Sequence, residues 1–355
     1  FSKAQQIMGV VLFFTIPAVI TQNTLVSYDA VLLSLYLAAL VSYFNKNKIL
    51  FVFLILGIVG ISLRGLFCVA SLSVTIFFLE NKQFKTWFKW NILFVPAIAI
   101  VFAWYIYHFT HTGWFFATKA EGWSEQRGLA DAMGLIKNGF SIARCFFDLG
   151  ILILTSLSVF YFIQKRKLDK YTLLWLIPAI VFFIAFLPFT NPINHRYFLI
   201  VYVMMLFPVI QFLSERKRIY IVFTTLILLL GHFQIYPVPI SNGWDCTLEY
   251  TSYSYLRNEY INSFKVNSFI NKSQTGTVFP MNASLFQTNM KNDTVKLMNI
   301  NGKSIDSIPC ILFSNIGNDF SNEQIEQLQK WDTIYRSQEG LVYLVLLANP
   351  QIPID

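Results

Sequence analysis

Long apolar runs separated by short polar breaks fill the first two thirds of the chain. They cover roughly residues 8–25, 28–44, 49–63, 66–80, 91–108, 146–163, 171–189, 197–213 and 219–236. Each approaches the ~20 apolar residues that a helix needs to cross a bilayer core. The pattern predicts an all-α polytopic membrane domain of about nine spans over residues 1–236. The third and fourth runs are short and meet at Ser62, Leu63, Arg64 and Gly65. Such a break reads as a re-entrant or broken hairpin, tolerated where it lines a polar cavity.

After Tyr236 the pattern changes. Asn, Ser, Thr and Asp become common, and the apolar runs shrink to strand length at Val278–Phe279, Ile308–Phe313 and Leu341–Leu347. Ser321 followed by Gln324 offers a capping box for a helix reaching Trp331. Residues 237–355 therefore read as a small soluble α/β or α+β domain. Three Asn-x-Ser/Thr sequons, at Asn271, Asn282 and Asn292, carry little weight in so Asn-rich a segment.

The loop after the fifth run holds Trp104, Tyr105, Tyr107, His108, His111, Trp114, Phe115, Phe116 and Trp123. Aromatics at this density mark a membrane interface, and they also suit contact with sugar rings or a lipid. Leu129, Met133, Ile136 and Phe140 then recur at helical spacing, which predicts an amphipathic interfacial helix ending near Phe147.

Composition supports the membrane reading: 55% of the 355 residues are hydrophobic, 17% aromatic and 13% charged, about half the charged share of an ordinary soluble domain. The net charge of +8 sits in four short clusters, Lys46 and Lys48; Lys82, Lys85 and Lys89; Lys165 to Lys170; and Arg216 to Arg218. These fall in every second connection, the distribution expected of cytoplasmic loops, and they argue against nucleic acid as a partner. The opposite connections then face outward, and so does the C-terminal domain. The four cysteines show no metal spacing; Cys68 and Cys145 read as buried hydrophobes, whereas Cys246 and Cys310 read either so or as a pair. No signal-peptide pattern opens the chain.

Unusual polar residues gather on the outward side. Arg196, preceded by Asn194 and His195 and followed by Tyr197, stands at the mouth of an apolar run. A cation there either snorkels to water or binds an anion. Arg64 occupies the broken hairpin on the same side, and its planar fork suits phosphate. Asp29 opens the second run, either as a helix N-cap or as a carboxylate facing the same cavity. Asp29, Asn194, His195, Tyr197 and Trp114 are the candidate cavity residues, and Arg64 and Arg196 the candidate phosphate ligands.

The run NHRYFLIVYVMMLFPVIQFL resembles the Arg-Tyr segment of GT-C membrane glycosyltransferases, in particular the family 39 and 83 group of protein O-mannosyltransferases and lipid A aminoarabinose transferases. The stretch from Pro17 to Asp29, the interrupted hairpin at Arg64, and the segments HTGWFFATKAEGW and SNGWDCTLEYTSYSYLRNEY are similar to bacterial members in order, over most of residues 1–260. The resemblance implies transfer of a sugar from a polyprenyl-phosphate donor to a lipid, glycan or protein acceptor outside the bacterial cytoplasmic membrane. It also implies a catalytic aspartate in the first outer loop. The chain opens on Phe1 near a later span, so that base is expected upstream and Asp29 is not assigned to it. No cofactor is called for; a divalent metal is compatible with the reading, but no motif demands one. Two further readings remain, an O-antigen polymerase or ligase gripping a lipid pyrophosphate, and a non-catalytic transporter or structural subunit. The last predicts inverted repeats or charges deep within spans, and neither is evident in the sequence.

Overall fold

A computed structural model describes residues 1–24, 27–62, 64–80, 82–113, 128–190, 193–233, 246–247, 252, 255–256, 275–278, 297–300, 304–315, 320–339 and 342–352. Among the described residues it is mostly helical (71%), with one small mixed sheet. The chain forms two compact units, Phe1–Gln234 with Asp245–Thr247, and Ile235–Trp244 with Leu248–Asp355.

In the first unit the helices run α1 (Lys3–Phe13), α2 (Pro17–Thr24), α3 (Tyr28–Phe44), α4 (Lys48–Ile61), α5 (Arg64–Leu79), α6 (Phe84–Asn91) and α7 (Val95–Thr112). They continue with α8 (Ala132–Phe147), α9 (Ile151–Lys165), α10 (Lys170–Phe186), α11 (Leu199–Ser214) and α12 (Arg218–Leu230). All nine apolar runs are helical, but the expectation of about nine spans is not met. Among the described residues two helices are long and apolar enough to cross a membrane, Phe84–Thr112 and His195–Ser214. The number rises to four if the bent pairs α1/α2 (63°) and α8/α9 (88°) each count as one span. The other apolar helices have 10–17 residues. At about 1.5 Å per residue they fall short of a ~30 Å core unless the flanking turns help. The runs 49–63 and 171–189 extend past the C-terminal ends of their helices, α4 stopping at Ile61 and α10 at Phe186, while Asn47 and Asp169 cap the starts through Leu50 N and Thr172 N.

The organising element is α11. In its span 72% of residues are buried, against 11% for Phe84–Thr112, so α11 is internal and the long α6/α7 rod peripheral. Apolar side chains surround the helix because it has neighbours on all sides: α1, α3, α9 and α10 pack against it.

The amphipathic helix expected before Phe147 is α8, at 88° to α9. Leu129, Met133, Ile136, Phe140 and Phe147 are exposed. On its buried side Asn138 donates its amide to Leu187 O (2.8 Å) and Phe189 O (2.7 Å), two carbonyls left over where α10 ends. The backbone joins the same place, with Ala130 N to Pro188 O at 2.8 Å and Thr190 N to Gly128 O at 3.0 Å. An apolar outer face and a hydrogen-bonded inner one fit a helix lying in an interface.

The second unit is a five-stranded sheet of order β2-β1-β3-β5-β4, where β1 is Thr275–Thr277, β2 Leu297–Asn299, β3 Cys310–Ser314, β4 Asp332–Glu339 and β5 Val342–Ala348. The first three are parallel neighbours, whereas β5 pairs antiparallel with β3 and β4. Central β3 and β5 are the predicted aliphatic strands; Val278 follows β1, and Phe279 lies outside the described residues. Ser321 and Gln324 form the expected capping box of α13 (Asn322–Leu328), which stops before Trp331. Hydrogen bonds from Ser304 and Gln327 hold the exposed Asp306 carboxyl below the usual range and tie α13 to the turn before β3.

One glycine decides how α4 meets α5. A Cβ on Gly65 would lie 2.1 Å from Ile58 O and 2.7 Å from its carbonyl carbon, a backbone clash that no rotamer relieves. Gly65→Ala is expected to destabilise the first unit by roughly 3 kcal/mol. Gly60→Ala, where nothing lies within 4 Å, is expected to be neutral or to stabilise by about 0.5 kcal/mol. Thermal unfolding of both variants in detergent checks the contrast.

Candidate functional site

Asp29 lies in the first turn of α3, but the N-cap is Ser27, whose hydroxyl accepts from Ala30 N. The N-cap alternative for Asp29 is thereby replaced by a different role. Arg64 opens α5 just past the break at Ser62, and its Nη1 donates to Asp29 Oδ1 at 2.5 Å. Its Nη2 donates to the Tyr28 hydroxyl. The guanidinium carbon lies 4.4 Å from the Tyr28 ring centroid and 4.5 Å from that of Tyr197. With side-chain exposures of 15% for Arg64 and 5% for Asp29, the pair is largely out of water. A cation so placed needs its carboxylate, and the ring faces add cation–π attraction.

Tyr197 joins the second arginine to this cluster. The Arg196 guanidinium carbon is 5.5 Å from the same ring. Phe186 of α10 stacks on Tyr197 with centroids 4.9 Å apart and planes 21° off parallel. Asp29, Arg64, Tyr197 and Arg196, four of the sequence candidates, thus meet where α3, α5 and α11 begin.

Of His195 and Asn194, the first is turned towards Asp148. Both are buried, at 0% and 6% exposure. Asn194 precedes the 3-10 turn His195–Phe198, where its carbonyl accepts from Tyr197 N at 3.1 Å. His195 Nε2 lies 2.6 Å from Asp148 Oδ2, an ion pair when the ring is protonated. Its Nδ1 is 3.4 Å from the Tyr202 hydroxyl, which donates to Cys145 O at 3.0 Å. Cys246 completes this second cluster: Asp148, His195 and Cys246 are all buried, with donor atoms within 4.8 Å of one another.

Trp114 lies outside the described residues, as do Trp123, Asn191, Trp244, Asp245, Tyr250 and Tyr253. His108 and His111 of α7 bond locally, to Thr112 and to Thr110 and Tyr107. No disulfide joins Cys246 and Cys310, so the pairing alternative is set aside.

No protein-family model, curated protein or solved structure matches this chain.

Two partners escaped the sequence reading. Tyr28 passed for part of a polar stretch, although a tyrosine beside Asp29 at a helix start is well placed to clamp a cation. Asp148 was the clearer signal: a carboxylate inside the apolar run 146–163, where an isolated charge is costly and marks a partner.

Asp29→Ala leaves Arg64 without its counter-charge and is expected to cost about 3 kcal/mol. Arg64→Met on that background should recover most of the loss. A double-mutant cycle by denaturant unfolding in detergent measures the coupling, and a value near zero would contradict the pairing.

Proposed function

We propose that this chain is a membrane glycosyltransferase that takes a sugar from a polyprenyl-phosphate donor and passes it to a lipid, glycan or protein acceptor. The reading rests on one observation: two guanidiniums, Arg64 and Arg196, flank a single tyrosine ring at one end of an apolar helical unit. Apolar surroundings suit a donor whose carrier is a lipid. The leaving group of such a transfer is a phosphate, and fixed cations in a water-poor site stabilise its developing charge better than mobile water does.

The two arginines divide the work. Arg64 is held by Asp29, Tyr28 and Tyr197, and serves as the immobile wall of the site. Arg196 stands at the edge of the cluster and would take the phosphate oxygens. Asp29, committed to Arg64, is not the acceptor's base. The placement proposed is a bacterial cytoplasmic membrane, with the second unit on the outer side and the basic connections inside.

In membranes holding the full protein, Arg196→Ala is expected to lower transfer from a polyprenyl-phosphate monosaccharide by about 10²-fold, the usual effect of deleting one transition-state donor. Arg196→Lys should retain part of the rate. Unchanged transfer by Arg196→Ala would reject the phosphate role. Turnover of a lipid-pyrophosphate oligosaccharide instead of the monosaccharide would redirect the assignment to a polymerase or ligase.

A further inference from the structure

We propose that Asp148, His195 and Cys246 form a binding site for a divalent transition-metal ion of the Zn2+ class. The inference is independent of the glycosyl-transfer reading. It rests on the convergence of three donors from distant stretches: Asp148 is the C-cap of α8, His195 begins the turn before α11, and Cys246 belongs to the short segment 245–247 that returns to the first unit. Their ligand atoms lie within 4.8 Å of one another, and exposures of 6%, 0% and 2% put them out of water. A buried carboxylate needs a pairing partner or a metal. His195 supplies the pairing, but pairing alone gives no reason for a thiol as third member.

The hydrogen bonds around the imidazole fix which nitrogen is available. The Tyr202 hydroxyl has one proton and gives it to Cys145 O, since a carbonyl only accepts. Towards His195 that hydroxyl is therefore an acceptor, so Nδ1 carries a hydrogen. Nε2 is left facing Asp148, and Cys246 belongs to the same cluster. Metal-bound histidines are oriented in this way, with the remote ring N–H donated to a fixed oxygen while the other nitrogen ligates.

Donor chemistry selects the ion. Thiolate and imidazole disfavour Mg2+ and Ca2+, which take oxygen, and a mixed S, N, O set suits Zn2+ or Co2+. Three protein ligands leave a fourth tetrahedral position for water or an anion. His195 Nε2 and Asp148 Oδ2 lie 2.6 Å apart. Two ligands on tetrahedral zinc stand about 3.3 Å apart, given metal–ligand distances near 2.0–2.1 Å. The ion would open the pair by roughly 0.7 Å, a shift within reach of small side-chain rotations. Binding releases to solvent the Cys246 thiol proton and, when the ring is protonated, the proton on His195 Nε2.

The test uses the full chain purified in detergent without chelator. Elemental analysis should find about one zinc per chain, as expected of a site with three buried protein ligands. After chelation, added Co2+ should give intense visible bands and a near-ultraviolet thiolate-to-cobalt charge-transfer band. Cys246→Ser should lose that band and most of the zinc, and Tyr202→Phe should weaken metal affinity about tenfold, as loss of an orienting partner does. If Cys246→Ser fails to fold, alkylation of the unsubstituted chain replaces it: Zn2+ should protect Cys246 from iodoacetamide, read by peptide mass. A chain that holds no stoichiometric metal and shows no cobalt band, a Cys246→Ser variant that binds metal as the parent does, or alkylation unaffected by Zn2+ would each overturn the site.

Discussion

A charge carried into an apolar interior has to bring its partner, and much of the first unit is arranged by that requirement. Arg64 sits where α5 starts, only 15% exposed, and Asp29 reaches it from the first turn of α3. Neither residue is stable there alone. The pair therefore fixes the starts of two helices against each other, and Gly65 lets α5 come close enough to α4 for the geometry to close. Tyr197 then extends the cluster to α11 through its ring, backed by Phe186 of α10.

Two clusters arise from neighbouring residues because of the local backbone. His195, Arg196 and Tyr197 lie on a 3-10 turn, where successive side chains point about 120° apart. His195 is thereby turned into the protein, towards Asp148, while Arg196 and Tyr197 are carried round to the side of Arg64. A regular α-helix starting at Asn194 would separate consecutive residues by about 100° and shift each of them.

Periodicity made the helices legible and left their number of crossings illegible. Apolar runs count residues that could be buried, whereas a span depends on where the helix ends; α4 stops at Ile61, before Ser62, after 14 residues. The capping box at Ser321 and Gln324 could be read because both of its bonds are local. Strand β4 could not: it is an edge strand of sequence DTIYRSQE, whose exposed positions follow from having one neighbour, and it carries none of the aliphatic signal of β5. At the site, the arginines were visible as costly cations, but nothing in the sequence said that Asp29 belongs to Arg64. Asp148 and Cys246 needed the fold, because their partner lies 47 residues or more away in the chain.

His195 and Tyr202 lie two turns apart on the same helical rod, and both are bonded to the C-terminal end of α8, at Asp148 and Cys145. Attachment at two heights fixes the roll angle of α11 as well as its position. α8 and α11 are in this way pinned to each other at two points, one on either side of a full helical turn.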